Sequence, residues 1–357
     1  MISFSITMAA RRLMAISAVA GGMLAAVASA HAEVSTAAVA LMYHRFGDDR
    51  FPSTNVTLDQ LDAHIAELRS GGYNVVHLST IVDAMERGEA LPDRTVAITI
   101  DDAYRTVFEA GWPKFRDAGM PVTLFVSTGP IDQGLADMMT WDQLRQMQAE
   151  GAEIGGHTVS HLHMPEADET RNRAEMTESN ARFEAELGQV PTLFAYPYGE
   201  ASSALLDMVR EVGYRAAFGQ HSGAMSDVDD RFYLPRFPLN ETYADMGRFK
   251  TAVNAMPLAV SDLTPADMTV RPDDGEANPP AVGFTVMDDV GDLDQLTCFF
   301  SHEGAASIER IGSRRIEVRA TTPMPKGRSR LNCTLPGRGE HSGRWYWYGR
   351  QFVIPGG

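Results

Sequence analysis

"TVAITIDDAYR", residues 95–105, decides how this chain folds. Its first six residues, Thr95 to Ile100, are small or β-branched with no polar alternation, as in a strand buried on both faces of a parallel sheet. The run stops on two adjacent carboxylates, Asp101 and Asp102. Side chains alternate faces along a strand, so a regular strand through residue 102 would aim one of the two inward. Both face one site only if strand geometry ends at about Ile100. An Asp-Asp pair also serves as a turn or a helix N-cap, so these two take their meaning from partners elsewhere in the chain.

Working outward, residues 37–219 alternate short β-branched runs with helix-period stretches. Candidate strands are Val39–Tyr43, Asn74–Leu78, Thr95–Ile100, Val122–Val126, Ala152–Gly155, Thr192–Ala195 and Ala216–Gly219. Thr57 opens a helix with Leu58, Leu61, Ile65 and Leu68 on one face, Gln60 completing a capping box and Gly71-Gly72 ending it. Thr140 to Gly151 repeats the plan with Gln143, and Asp168 to Gly188 reads as a longer charged helix with a mostly solvated face. Strands alternating with helices predict parallel βα units in an α/β fold, closed most simply as a barrel. Catalytic side chains of such barrels sit at the C-terminal ends of the strands.

After about Asn240 the pattern changes. Pro257, Pro265, Pro272, Pro279 and Pro280, with Asp-Asp-Gly at 273–275, mark residues 256–282 as a linker and domain entry. Residues 283–357 carry short alternating segments, among them Arg315–Ala320 and Arg344–Ile354, which predict a small all-β, sandwich-like domain. Its "RWYWYGRQF" run, residues 344–352, could offer rings for a sugar to stack on. Trp345, Trp347 and Phe352 at strand spacing are read instead as one buried face of the sandwich. Residues 33–255 are then the barrel.

Residues 1–32 read as a secretory signal peptide: Arg11 and Arg12 precede an apolar run, Leu13 to Val27, that closes on Ala28-Ser29-Ala30 and Ala30-His31-Ala32. The mature protein is expected outside the cytoplasm, periplasmic or extracellular, with no stable membrane insertion. Residues 1–32 carry those two arginines and no acid, so cleavage takes the net charge from −16 to −18. Such an acidic surface argues against nucleic acid or anionic lipid and fits a neutral or cationic ligand. Cys298 and Cys333, the chain's two cysteines, predict a disulfide in an oxidising compartment, and two cysteines alone make no structural zinc site.

Partners for the aspartates lie in "GGHTVSH", residues 155–161, directly after the fifth strand. His157 and His161, four apart, would share one face of a helical turn and converge on a metal. One carboxylate and two imidazoles make a three-ligand set with an open position for water. The second aspartate is then free to accept a proton from that water. "FAYPYG", residues 194–199, ends the sixth strand. There Pro197 fixes the backbone, and Tyr198 and Gly199 present N–H groups as half an oxyanion hole.

"TIDDA", "HTVSH" and "AYPYG", in this order and each after a strand, resemble the successive motifs of the polysaccharide deacetylase family, also called the NodB homology domain or carbohydrate esterase family 4. The resemblance covers roughly Ala37 to Asn240. "LMYHRFG" (41–47) and "LPRFPLN" (234–240) further resemble its exported branch, which acts on N-acetylglucosamine polymers. It implies a distorted (β/α)7 barrel, one divalent metal (zinc, with cobalt or nickel as substitutes), and hydrolysis of N-acetyl groups with release of acetate. Residue by residue, it makes Asp101 the general base toward a metal-activated water, Asp102, His157 and His161 the metal ligands, and Tyr198 the backbone donor to the oxyanion. Pro197 would lie against the substrate.

Two positions depart from the family. Ala195 stands where many members carry the arginine that orients the base, and Arg236 in "LPRF" is the expected replacement. A late Leu-x-His motif that supplies the general acid elsewhere has no counterpart between Leu234 and Met256, which leaves His44 and His221 as candidates beside the substrate. Alternatives to the N-deacetylase are an O-acetyl esterase acting on xylan or another polymer through the same site, and an envelope carbohydrate-binding protein without activity. Retention of Asp101 beside the metal set speaks for an enzyme.

Overall fold

The computed structural model describes residues 1–2 and 37–356. The signal-peptide reading falls outside these residues. No helix among them is long and apolar enough to cross a membrane.

Seven parallel strands lie at or near the expected places among the described residues: β1 (Ala37–Tyr43), β2 (Asn74–Val76), β3 (Thr95–Asp101), β4 (Val122–Val126), β5 (Glu153–Gly156), β6 (Leu193–Ala195) and β7 (Ala216–Phe218). The sheet runs β1-β3-β4-β5-β6-β7. On the edge of β3 away from β1, β2 pairs with residues 95–97 and β4 with residues 98–101. Two strands sharing one edge splay the sheet, which distorts the barrel.

Closure between β7 and β1 comes from an irregular segment. Leu234 bridges to Phe218 of β7, and Phe237–Pro238 pairs with Leu41 and Met42 of β1. Arg236 sits in the middle of this closing segment.

The faces of the strands follow period 2. Val39, Leu41 and Tyr43 of β1 and Val96, Ile98 and Ile100 of β3 pack outward against helix residues Leu61, Ile65, Leu68, Phe115 and Phe249. Ala38, Ala40, Ala97, Ala195 and Ala216 point the other way with Phe125, Phe218 and Leu234. Alanine at five inward positions leaves room inside the barrel. The expected helix caps form at Thr57 and Thr140, each with its glutamine in a capping box.

The C-terminal residues build two sheets around one core that includes Phe284, Val286, Ile316, Val318, Leu331, Leu335 and Phe352. One has the order Met256–Pro257, Trp345–Ile354, Gly327–Pro336, Thr297–Phe300, Gly304–Ala305. The other has the order Val260–Thr264, Val282–Val286, Arg315–Arg319, Ser307–Ile311. Cys298 and Cys333 pair directly across neighbouring strands and form the disulfide. Residues 256–282, which read as a linker, supply strands to both sheets. Val260–Thr264 is an edge strand with its last three residues exposed, so no apolar alternation betrayed it.

The reading of Trp345, Trp347 and Phe352 as one face is corrected. Phe352 and Ile354 enter the sandwich core, with Tyr346 and Tyr348 packed against it, while Trp347, of opposite parity, packs edge-on against Phe237 of the barrel at 5.1 Å. Residues 345 and 352 differ by an odd number, which puts them on opposite faces. The strand Trp345–Ile354 therefore has its back against the barrel, and sandwich and barrel belong to one compact unit.

Candidate active site

β3 continues through Asp101, one residue beyond the expected end, and the break falls at Asp102 (φ 76°) and Ala103 (φ 58°). Asp101 keeps the inward parity of Ala97 and Thr99. The left-handed turn then redirects Asp102, whose N–H still donates to Phe125 O at 3.0 Å. Aspartate tolerates this conformation better than most side chains, and here it lets two consecutive carboxylates serve one rim.

Asp101 is fully buried against an equally buried Arg236. Arg236 donates from both terminal nitrogens, Nη1 to Oδ1 at 2.7 Å and Nη2 to Oδ2 at 2.8 Å, and also to Thr99 Oγ1 at 3.1 Å and Gly219 O at 2.9 Å. The small inward residues make space for this guanidinium. Burial alone would raise the Asp101 carboxyl, but the Arg236 charge, with His157 and His44 nearby, outweighs it and holds the group below the usual carboxylate range. Asp101 is ionised and fixed in rotation.

His157 and His161 do converge on Asp102, though not from a helical turn. Residues 157–163 are irregular, with Thr158 (φ 68°) and His161 (φ 56°) left-handed. The N–H groups of Val159 and Ser160 are drawn to Glu175 Oε2 at 2.9 and 2.7 Å instead of to helical carbonyls, and Ser160 Oγ donates to Glu175 Oε1 at 2.8 Å. From the other side Ser127 Oγ donates to His157 O at 2.7 Å, and Gly129 N–H to Val159 O at 2.8 Å. Glu175 is 1% exposed and lies on the helix Glu169–Leu187, the one read as mostly solvated. Nothing in that charged run singles it out from its neighbours.

His157 Nδ1 lies 2.6 Å from Ala195 O. A carbonyl only accepts, so Nδ1 carries the proton and Nε2 presents a lone pair. His157 Nε2 and His161 Nε2 stand 3.4 and 3.2 Å from the same Asp102 Oδ1. Asp102 Oδ1 and His157 Nε2 are buried without a hydrogen-bond partner. Two orphaned acceptors facing each other call for a cation between them. Among the described residues Asp102, His157 and His161 form the one group of three whose donor atoms lie within 4.8 Å of one another, and the donor set suits zinc. Burial opposes ionisation of Asp102, yet the two imidazoles beside it, His157 and His161, hold it well below the usual range.

The two remaining histidines part company. His44 directly follows β1, senses the charges of Asp102, Asp101, Arg236 and His157, and has a buried Nδ1 without a partner. Burial lowers its pKa, with the two carboxylates opposing. His221 is buried, stacked on Tyr233 at 4.5 Å and within reach of the charges of Arg350, Arg330 and Arg236. Burial, then those charges, push it down to about 3. Both carboxylates act on His44, whereas the charges that act on His221 are those of arginines.

Pro197–Gly199 forms a single tight turn in which Tyr198 has φ 60° and ψ 3°. Pro197 is buried and opens the turn. Gly199 was expected to offer its N–H to the rim but donates it to Tyr196 O at 2.8 Å. Tyr198, at the start of the turn where N–H groups lack internal acceptors, is the donor left. Its ring lies edge-on to His161 at 4.4 Å and flat on His163 at 4.0 Å. Sequence reasoning also passed over Tyr104, whose hydroxyl is raised by burial and by Asp102, and Arg45, whose guanidinium lies 3.3 Å from that ring.

Residues 88–217 match the family model described as polysaccharide deacetylase. The poly-beta-1,6-N-acetyl-D-glucosamine N-deacetylase of Escherichia coli K12 is 28% identical over 245 residues, 56% of this chain and 36% of that protein, so this chain spans about a third of that relative. The enzyme of the same name from Staphylococcus aureus MSSA476 is 22% identical over 230 residues, 57% of this chain and 79% of that one. Among solved structures, the Streptococcus pyogenes deacetylase PplD in complex with acetate superposes with a TM-score of 0.57 at 21% identity, covering 61% of this chain and 98% of its own. IcaB from Ammonifex degensii gives 0.55 at 21%, covering 61% and 97%. These two likenesses concern the fold.

Proposed function

From the premise that the chain carries a polysaccharide deacetylase domain, we propose that it hydrolyses N-acetyl groups of an N-acetylglucosamine-containing polysaccharide or oligosaccharide, releasing acetate. The observation that carries this reading is the division of labour between adjacent aspartates. Asp101 is clamped by Arg236, while Asp102 Oδ1 faces two imidazole Nε2 atoms at 3.4 and 3.2 Å. A scaffold that merely bound sugar would gain nothing from burying a second carboxylate at this rim.

A divalent ion, zinc by preference, held by Asp102, His157 and His161 would polarise the acetyl carbonyl and make water a stronger acid. Asp101, held ionised by Arg236, accepts the proton from the attacking water. Arg236 fixes both carboxylate oxygens, so the base meets the water in one orientation. The Tyr198 N–H donates to the carbonyl oxygen as it gains negative charge. We assign to His44, at the end of β1, the delivery of a proton to the departing amine. The signal-peptide reading puts this chemistry outside the cytoplasm.

The test is acetate release from N-acetylglucosamine oligosaccharides by zinc-reconstituted protein, beside the Asp101→Asn variant and with O-acetylated xylan as a parallel substrate. Release from the oligosaccharide by wild type, lost in the variant, supports the proposal. Release from xylan alone assigns the site to ester hydrolysis.

A further inference from the structure

We infer that the C-terminal sandwich is part of the catalytic apparatus, with Gln351 as a positioning residue for the Tyr198 peptide; the inference rests on the deacetylase reading of that peptide. Gln351 lies on the barrel-facing side of the strand Trp345–Ile354 and is 1% exposed. Its Nε2 donates to Tyr198 O at 3.0 Å. Its Oε1 accepts from Arg330 Nε at 2.9 Å, which leaves the amide one orientation. Arg330 is its direct cross-strand neighbour.

Arg328 adds a second hold, donating from Nη1 to Tyr198 O at 3.4 Å with its guanidinium 5.3 Å from the Tyr198 ring centre. Two side chains of the sandwich therefore grip one carbonyl of the barrel. The N–H and C=O of Tyr198 belong to peptides on either side of its Cα, so anchoring the carbonyl fixes ψ and leaves φ to set where the N–H points. The barrel side holds the rest of the turn: Tyr233 Oη donates to Gly199 O at 2.9 Å, and His163, bonded through Nδ1 to Glu200 Oε2 at 2.8 Å, stacks on the Tyr198 ring. A left-handed non-glycine residue persists only where its surroundings over-determine it. At Tyr198 part of that determination comes from 153 residues away in sequence.

The sandwich approaches closely enough for this. Gly349, two residues before Gln351 on the same face, lies so near Ser222 O that a Cβ there would sit 1.9 Å from it. Trp347, two residues earlier again, meets Phe237 beside the closing segment that carries Arg236. One face of one strand thus touches the segments that carry both the oxyanion donor and the base clamp.

The test uses the full chain with Gln351→Glu and Gln351→Ala. Gln351→Glu keeps the shape and the Arg330 contact but turns a donor into an acceptor facing Tyr198 O. Steady-state acetate release and hydrogen–deuterium exchange of the 196–200 segment are measured on each. We expect kcat to fall about 10- to 100-fold with KM within about threefold, and exchange at 196–200 to accelerate while the β3 and β4 segments keep wild-type protection. Unchanged exchange at 196–200 in both variants, or unchanged kcat in both beside an active wild type, overturns the inference. If wild type releases no acetate, the deacetylase reading fails by itself, and the exchange measurement still decides whether Gln351 fixes the loop.

Discussion

Arg236 and Asp101 meet in a two-point clamp, 2.7 and 2.8 Å, with both side chains fully buried and a separation of 135 positions in the sequence. Removing either partner strands a charge in the barrel interior. Arg236→Met is expected to cost about 3–5 kcal/mol of stability, measured by urea unfolding. The double variant with Asp101→Asn should recover a good part of that loss. A cycle in which the two losses simply add would show that the pair is not coupled.

The same clamp sets an acid limit. Native Asp101 titrates below its unfolded value of about 3.9. Its stabilising contribution is therefore complete above about pH 4 and disappears as pH falls through the lower native value. The difference in unfolding free energy between wild type and Asp101→Asn should be level from about pH 8 to pH 5 and shrink below about pH 4. A difference that widens on acidification would contradict the assignment.

Zinc should stabilise the folded protein through Asp102, His157 and His161. At a free concentration 100 times its dissociation constant the gain is about 2.7 kcal/mol, read as a rise in melting temperature. Asp102→Ala should abolish the shift, and a chelator should reverse it in wild type. A shift that survives in Asp102→Ala places the ion elsewhere.

Glu175 touches none of the three ligand atoms, yet its carboxylate holds the backbone between the two histidines. Glu175→Ala should weaken zinc binding about 10- to 100-fold, measured by competition with a chromophoric chelator. Wild-type affinity in this variant would mean that the loop holds its shape without Glu175.

His44 and His221 separate by leaving group. His44→Gln should slow amide hydrolysis about 10²- to 10⁴-fold and leave hydrolysis of an aryl acetate, whose leaving group needs no proton, nearly unchanged. His221→Gln should affect both substrates alike and weakly. An equal loss on both substrates in His44→Gln would remove it as the acid.

The barrel was legible because its signals are local. Buried parallel strands read as continuous β-branched runs, and Thr57 and Thr140 announce their helices through capping boxes completed three residues on, at Gln60 and Gln143. Asp102, His157 and His161 were legible because each pair follows a strand, and strand ends of a βα barrel share a rim. Glu175, Gln351 and Arg328 were not, since a glutamate in a charged helix and two polar residues on a strand look the same whether they face solvent or another element.

By itself the sequence determined the order of strands and helices, the disulfide partners and the identity of the chemical groups at the barrel rim. Those follow from periodicity, capping and residue type, which act over a few residues. Tertiary structure alone decided the left-handed break at Asp102, the two-point geometry in which Arg236, expected from the sequence to stand in for the arginine missing at Ala195, holds Asp101, and the grip of the sandwich on Tyr198. Each joins groups far apart in the chain. Their meeting depends on how the barrel splays and which face of the last strand turns toward it, and no local pattern encodes that.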